Sequence, residues 1–468
     1  MSNLLRVIQS SVKEPLSTSD VISKLYNLIT RQVSHEDAYD SESNFIGEID
    51  TPNTYKEYVD LIKEKFPLLT INPAGLYVMF TDPEVLRILN SKIGDGTGIT
   101  EEAMLACTTW TINWFKDNGT IETFNEFYKF RNVTSLPSKA FNNCTKLKEI
   151  NISNIQTVES ECFRFSTKLT KVIATNLTTV KSMAFREIPL SSECDFGHNL
   201  TVLEYTAFAK TNITEIDLSN VTIMGDEVFS NCTSLVDIHT DLSNVTSMGS
   251  RCFYGCEALT GDFIINTTIL PAAIFYNCKN ITSVDVSNCE SFGIYVYGGN
   301  FENCEKIRSI NLNPNVKRIG PRTFTNCTLL QTIDISHVEE FVAESNQAAH
   351  FQNCTSLRNV TLNENLEYIP LRMFFGCTSL TEMTLPASIT SIGAYAFQQC
   401  YGLQKITILA TTPPTLELAP GNNNANTYQF TFRYPDTYPI YVPAESVELY
   451  KTTERWSYYA SRIQAIPT

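Results

Sequence analysis

Apolar positions along this chain recur with one long period. A phenylalanine stands at Phe141, Phe163, Phe185, Phe208, Phe229, Phe253, Phe275, Phe301, Phe324, Phe351, Phe374 and Phe397, at intervals of 21 to 27 residues. Three positions later nine of these twelve units carry cysteine: Cys144, Cys232, Cys256, Cys278, Cys304, Cys327, Cys354, Cys377 and Cys400. Leu or Ile stands six positions after the phenylalanine in ten units, with further apolar residues three and five positions on, as at Ile150 and Ile152 or Ile406 and Ile408. The unit reads A-F-x-x-C-x-x-L-x-x-I-x-I. Its last part predicts a short strand with alternate side chains pointing inward. One such strand cannot bury its apolar face alone, but stacked turns can, with the Phe and Cys turns filling the interior. The pattern therefore predicts an α+β chain: a solenoid with one parallel strand per repeat over 126–410, a mostly helical domain over 1–125 and a capping module over 411–468. Twelve turns at ~4.8 Å per strand span roughly 55 Å.

Several segments depart from the repeat. The Phe185 and Phe208 units lack the cysteine. The long intervals after Phe275 and Phe324 hold insertions near Cys289–Gly299 and Val338–Ala349, which project as loops from one side of a solenoid. Residues 3–33, Thr54–Phe66, Pro83–Lys92 and Glu101–Phe115 have helical spacing. His35–Asp50 carries six acids and no Lys or Arg, which predicts a solvated loop. Near the end, Ile440-Tyr-Val reads as a strand and Ser446–Ile463 as a final helix.

The phrases Lys139-Ala-Phe-Asn-Asn-Cys-Thr-Lys-Leu-Lys-Glu-Ile and Ile389-Thr-Ser-Ile-Gly-Ala-Tyr-Ala-Phe-Gln-Gln-Cys resemble the BspA-type leucine-rich repeat. The closing stretch, with Thr412-Pro-Pro-Thr, Ile440-Tyr-Val-Pro and Trp456-Ser, resembles that family's usual end module. The resemblance covers about residues 130 to 468. It implies a leucine-rich-repeat solenoid used for adhesion or protein binding. A BspA-like solenoid behind such an N-terminal domain also resembles proteins carried by bacteriophages of gut bacteria, including crAss-like phages.

Net charge is -15, which argues against nucleic acid or an anionic membrane surface as the main partner. Residues 1–20 lack an apolar core of signal-peptide length, and no stretch reaches 18 apolar residues, so neither a secretory signal nor membrane insertion is expected. The fourteen cysteines are then expected as buried thiols rather than disulfides. The N-x-[ST] sequons, such as those at Asn143, Asn231, Asn326 and Asn353, follow from the Asn-Cys-Thr turn and do not argue for glycosylation.

No catalytic motif, cofactor motif or metal-ligand spacing occurs, and the glycines of Ile93-Gly-Asp-Gly-Thr-Gly fit a turn better than a dinucleotide site. The expected activity is non-enzymatic binding with no cofactor. Outward strand positions supply the candidate surface: Asn151, Asp217, Asp285, Asn311 and Asp334 in one row, with Glu215 and Asp237 beside it. A protein or glycan is the expected ligand. Trp110 and Trp114 are candidate assembly contacts with other structural proteins or with further copies in a homo-oligomer. The expected location is a virion assembled in a host cytoplasm, with the cell surface or cytoplasm as the alternative.

Overall fold

The computed structural model describes residues 37–39, 45–48, 77–96, 98–295, 298–342, 348–419, 430–432 and 438–467. The chain divides into two compact units, Met1–Met104 and Leu105–Thr468.

In the first unit, Asp37–Tyr39 pairs antiparallel with Phe45–Glu48. This corrects the solvated loop expected over His35–Asp50: six acids masked two short runs of strand-forming Tyr, Phe and Ile. A helix spans Pro83–Ile93 as the sequence predicts, with Asp82 accepting the Glu84 N–H at its start and Val85, Ile88 and Leu89 buried. The helices expected over 3–33 and 54–66 lie outside the described residues. The helix expected over Glu101–Phe115 is instead an α-helix over Glu101–Ala106 and a 3-10 turn over Ile112–Trp114.

The second unit is the solenoid. Its longer strands follow one another from turn to turn as a ladder of four separate parallel sheets, which includes Thr123–Phe124, Glu149–Asn151 and Lys171–Ile173; Thr260–Ile264, Asn280–Val286 and Ser309–Leu312; Thr332–Ile335 and Asn359–Leu362; and Glu382–Leu385 and Lys405–Ile408. These are the L-x-x-I-x-I segments. Between residues 193 and 239 the ladder narrows to isolated bridges, Ile173 with Asp195 and Glu215 with Asp237. The turns also carry a second, two-residue strand, from Ser135–Leu136 to Thr415–Leu416, each paired in parallel with at least one neighbouring turn. One strand per repeat was therefore an undercount, because a two-residue strand leaves almost no periodic signal.

Inside, the repeat phenylalanines stack face to face. Adjacent rings lie 5.0–6.3 Å apart from Phe115, through all twelve repeat positions, to Phe432. Apart from Phe301, the turn holding each repeat ring has left-handed residues two positions before and two after it, as at Lys139 and Asn143 or Arg322 and Asn326. Asn tolerates this conformation, which explains its frequency before Cys. At two of the same positions stand Gly255 and Gly376, where an added Cβ would meet the Asn231 and Asn353 amides at 2.7 and 2.5 Å.

Both ends of the stack are covered. Trp110 is buried against Phe115, Phe124, Phe127, Phe130 and Phe141, so residues 105–125 belong to the solenoid. The boundary drawn at 125 moves to about 105, and Trp110 acts as a lid on the core rather than an open contact surface. Trp114 is half-buried and meets Trp110 edge-on at 4.7 Å. At the far end Ile440–Val442 and Ile463–Ala465 extend the main ladder. The single helix expected over Ser446–Ile463 is broken into Val447–Thr452 and a 3-10 segment Trp456–Arg462. Buried Tyr450 and Trp456 donate to the carbonyls of Ala410 and Pro414, each at 2.7 Å, which ties the module to the last turns.

Candidate binding surface

A residue two places along a strand faces the same way, and in-register pairing repeats that direction from turn to turn. The candidate side chains therefore line up on the outer face of the main ladder. Asn151 shares a row with Ile173 and Asp195; Glu215 pairs with Asp237; Asp285 pairs with Asn311; and Asp334 pairs with Thr361. Asn311 Nδ2 donates to Asp285 Oδ1 at 3.2 Å. Several of these residues come beside one another across turns, and most of them also have a local task. Asn151, Asp217, Asp237, Asp285 and Asp334 each accept the backbone N–H two residues on, at 2.8–3.1 Å, closing the turn that ends the strand. Asp195 and Asp241 do the same.

At Asp217, Asp241, Asp285 and Asp334 these bonds favour the ionised carboxylate. For Asp334 the N–H and hydroxyl of Ser336 hold the carboxyl below its ordinary range. For Asp217 and Asp285, burial acts in the opposite direction but is outweighed by the Ser219 and Ser287 donors, with help from His198 and Asn311 respectively. His198 Nδ1 lies 2.5 Å from Asp217 Oδ2, and His239 sits between Glu215 and Asp237 at 3.7 and 3.6 Å. The His198 pairing escaped the sequence reading because the partners lie 19 residues apart in adjacent turns. Among the described residues no group of three or more His, Cys, Asp and Glu is placed to hold a metal ion. None of the helices is long and apolar enough to cross a membrane, among the same residues.

The cysteine slot proved more specific than a small apolar filler. All nine repeat cysteines direct Sγ at the carbonyl of the phenylalanine one turn earlier, from Cys144 to Phe115 O at 3.1 Å through Cys400 to Phe374 O at 3.0 Å. Ser166 makes the same bond to Phe141 O at 2.7 Å in a turn without the cysteine. All fourteen cysteines are free thiols, and burial pushes those of Cys144 and Cys400 up to about 12, far from the reactive thiolate. The buried interior is thus filled by packing groups.

Another cluster sits on the turn side. Tyr254 and Tyr276, directly after spine phenylalanines, stack at 4.4 Å, and the Arg251 guanidinium lies over the Tyr295 ring at 5.2 Å. The repeated Phe-Tyr pair was a legible signal that the sequence reading passed over.

The family described as BspA type leucine rich repeat region matches residues 113–236, 201–330 and 296–415. No curated protein matches the chain. Similar solved structures include a leucine-rich repeat protein from Bacteroides ovatus, 23% identical over 66% of this chain and 87% of that one, with a TM-score of 0.33. A leucine rich cell surface protein from Faecalibacterium prausnitzii is 19% identical over 72% and 87%, with a TM-score of 0.39. The pneumococcal vaccine antigen PcpA is 16% identical over 71% and 83%, with a TM-score of 0.34. With the family pattern running from residue 113 to 415, and the phenylalanine stack and parallel ladder running through the same turns, this chain belongs to the BspA-type leucine-rich repeat family.

Proposed function

We propose that this chain is a non-enzymatic binding protein whose solenoid displays a surface for adhesion or assembly. The observation that carries the reading is the uninterrupted ring stack from Phe115 to Phe432. It makes a continuous rod whose inside is filled by packing groups, so recognition falls to the outer faces and edges. The ligand is a protein or a glycan.

Two locations fit this role. In the first, the chain is a virion-associated component, with the N-terminal unit joined to other structural proteins and further copies. The support is its resemblance to solenoids carried by gut phages. In the second, it is a surface adhesin, which membership of the BspA-type family supports equally. Antibody against the chain separates them: signal in gradient-purified particles supports the virion, and signal confined to the cell envelope supports the adhesin. The binding role is tested by incubating labelled full-length chain with intact bacterial and epithelial cells. Retention above that of an unrelated acidic protein is expected, and no retention on any cell type would sink the reading.

A further inference from the structure

Two adjacent turns of the solenoid place a tyrosine directly after the spine phenylalanine, at Phe253-Tyr254 and Phe275-Tyr276. The other ten repeat turns carry no tyrosine at this position. Backbone bonds on either side fix the register of the pair. The Phe253 N–H donates to the Ile274 carbonyl at 3.1 Å, and the Gly255 N–H to the Tyr276 carbonyl at 2.7 Å. The two rings lie parallel, 6° apart in plane and 4.4 Å between centres. The spine rings beside them, Phe253 and Phe275, stand 5.7 Å apart, so the tyrosines lean together.

The pair is held in place yet still meets solvent. Gly298 backs the Tyr276 ring so closely that an added Cβ would meet its carbons at 2.8 and 2.9 Å. Both tyrosines are half-buried. The cysteines of the same two turns, Cys256 and Cys278, are fully buried and direct Sγ at carbonyls. The tyrosines are therefore the oxidisable groups that solvent reaches at this joint. Tyr458 and Tyr459 also touch, with centres 5.0 Å apart, but their planes are 88° apart and Tyr459 is buried.

We propose that Tyr254 and Tyr276 are an oxidative cross-linking site, at which hydrogen peroxide acting through a peroxidase joins adjacent turns by a dityrosine bond. The inference goes beyond the binding role and does not depend on it. Each phenol gives up one electron and its hydroxyl proton, leaving a phenoxyl radical whose unpaired electron is shared with the ring carbons ortho to oxygen. The two radicals pair to form one carbon–carbon bond between ortho positions. The hydrogen on each joined carbon then moves to the oxygen, which restores both phenols. The two electrons and two protons released reduce one hydrogen peroxide to two waters. Radical coupling is ordinarily an encounter between molecules, and the fold converts it into a step between groups already in contact. The rings need only turn from stacked to side by side, with their centres about as far apart as they stand now. The two residues are 22 positions apart in the chain, so the bond closes a loop across one repeat and restricts the unfolded state as a disulfide does.

The test treats dilute full-length chain with hydrogen peroxide and a peroxidase, then unfolds, reduces and digests it for mass spectrometry. Reduction removes any disulfide, which would carry the same mass change. The expected product is a monomer lighter by two hydrogen atoms, with one cross-linked peptide pair holding Tyr254 and Tyr276, and with dityrosine fluorescence. Tyr254→Phe and Tyr276→Phe should each lower that fluorescence roughly tenfold, because the contact that favours coupling is lost as chemistry. Phenylalanine keeps a ring in the stack, so loss of the signal in these variants is not loss of the fold. Tyr205 and Tyr401 are exposed at 39% and 51%, which makes them the targets if accessibility alone governs the reaction. Tyr205→Phe with Tyr401→Phe should therefore leave the cross-linked peptide at its original yield. Cross-links found only between molecules, or only at other tyrosines, would overturn the proposal. So would fluorescence that persists unchanged in Tyr254→Phe and Tyr276→Phe.

Discussion

At the scale of single residues, the repeat cysteines act as donors. Each Sγ adds a second donor to a carbonyl that already serves its own turn, as when Phe275 O accepts both the Cys278 N–H and the Cys304 thiol. Cys304→Ala removes that bond and leaves a small void, so stability should fall by about 1–2 kcal/mol. Cys304→Ser keeps a donor in the geometry that Ser166 already uses and should cost less; chemical denaturation of the pair gives the ranking, and the reverse order would refute the donor role. His350 is a second residue whose burial has consequences. It is fully buried, its ring packs edge-on to Phe341 at 5.1 Å, and neither nitrogen makes a well-formed hydrogen bond, although the carbonyls of Val342 and Ile319 face it. Burial pushes its pKa down to about 3, against ~6.5 in an unfolded chain. The unfolded state therefore binds the proton more readily. This contribution is fully present above pH ~6.5 and is lost progressively as pH falls toward 3. His350→Phe should flatten that part of the stability profile, as read by melting temperature between pH 7 and 4.

At the scale of elements, the turn is built by the stacked ring and by two left-handed residues. Phe324 lies between Phe301 at 5.9 Å and Phe351 at 5.0 Å. Phe324→Ala should cost about 3–5 kcal/mol, and the Phe301/Phe324 double variant should cost less than the sum of the singles, because the second deletion removes a contact already lost. A double-mutant cycle in urea checks this; strict additivity would mean that the rings act independently. The amide ladder beside the rings has the same character. Asn353 Nδ2 donates to Asn326 Oδ1 at 2.9 Å, and Asn326 Nδ2 to Asn303 Oδ1 at 2.6 Å. The sequon asparagines Asn326 and Asn353 are thus in use as turn and ladder residues.

At the scale of the whole molecule, the solenoid needs its ends. Trp110, Phe115 and Phe124 are buried over the first repeat, so a cut at 126 strips the lid from Phe141, whereas a cut at 105 follows the division between the two compact units. A fragment of 105–468 should melt cooperatively at the temperature of the intact solenoid. A fragment of 126–468 should melt lower and bind a hydrophobic dye. Equal melting of the two would show that residues 105–125 are dispensable to the core. Attachment of the chain to a larger assembly, if it resides in the N-terminal unit, should be lost equally in both fragments.

The sequence by itself determined the repeat, its inward residues and the strand at L-x-x-I-x-I, because a phenylalanine every 21–27 residues admits one way of burying twelve apolar faces. It also placed the row of outward acids and the insertions. Only the tertiary structure decided what those groups do. The second strand is two residues long and pairs solely with neighbouring turns, so no local pattern announces it. Trp110 reads as an open interface until the fold lays it on Phe141. The thiol acceptor belongs to the previous turn, and His198 meets Asp217 across turns. The physical reason is common to all of these. In each case the partner lies about one repeat away, so the period is written in the sequence, whereas the contact is written in the register between turns.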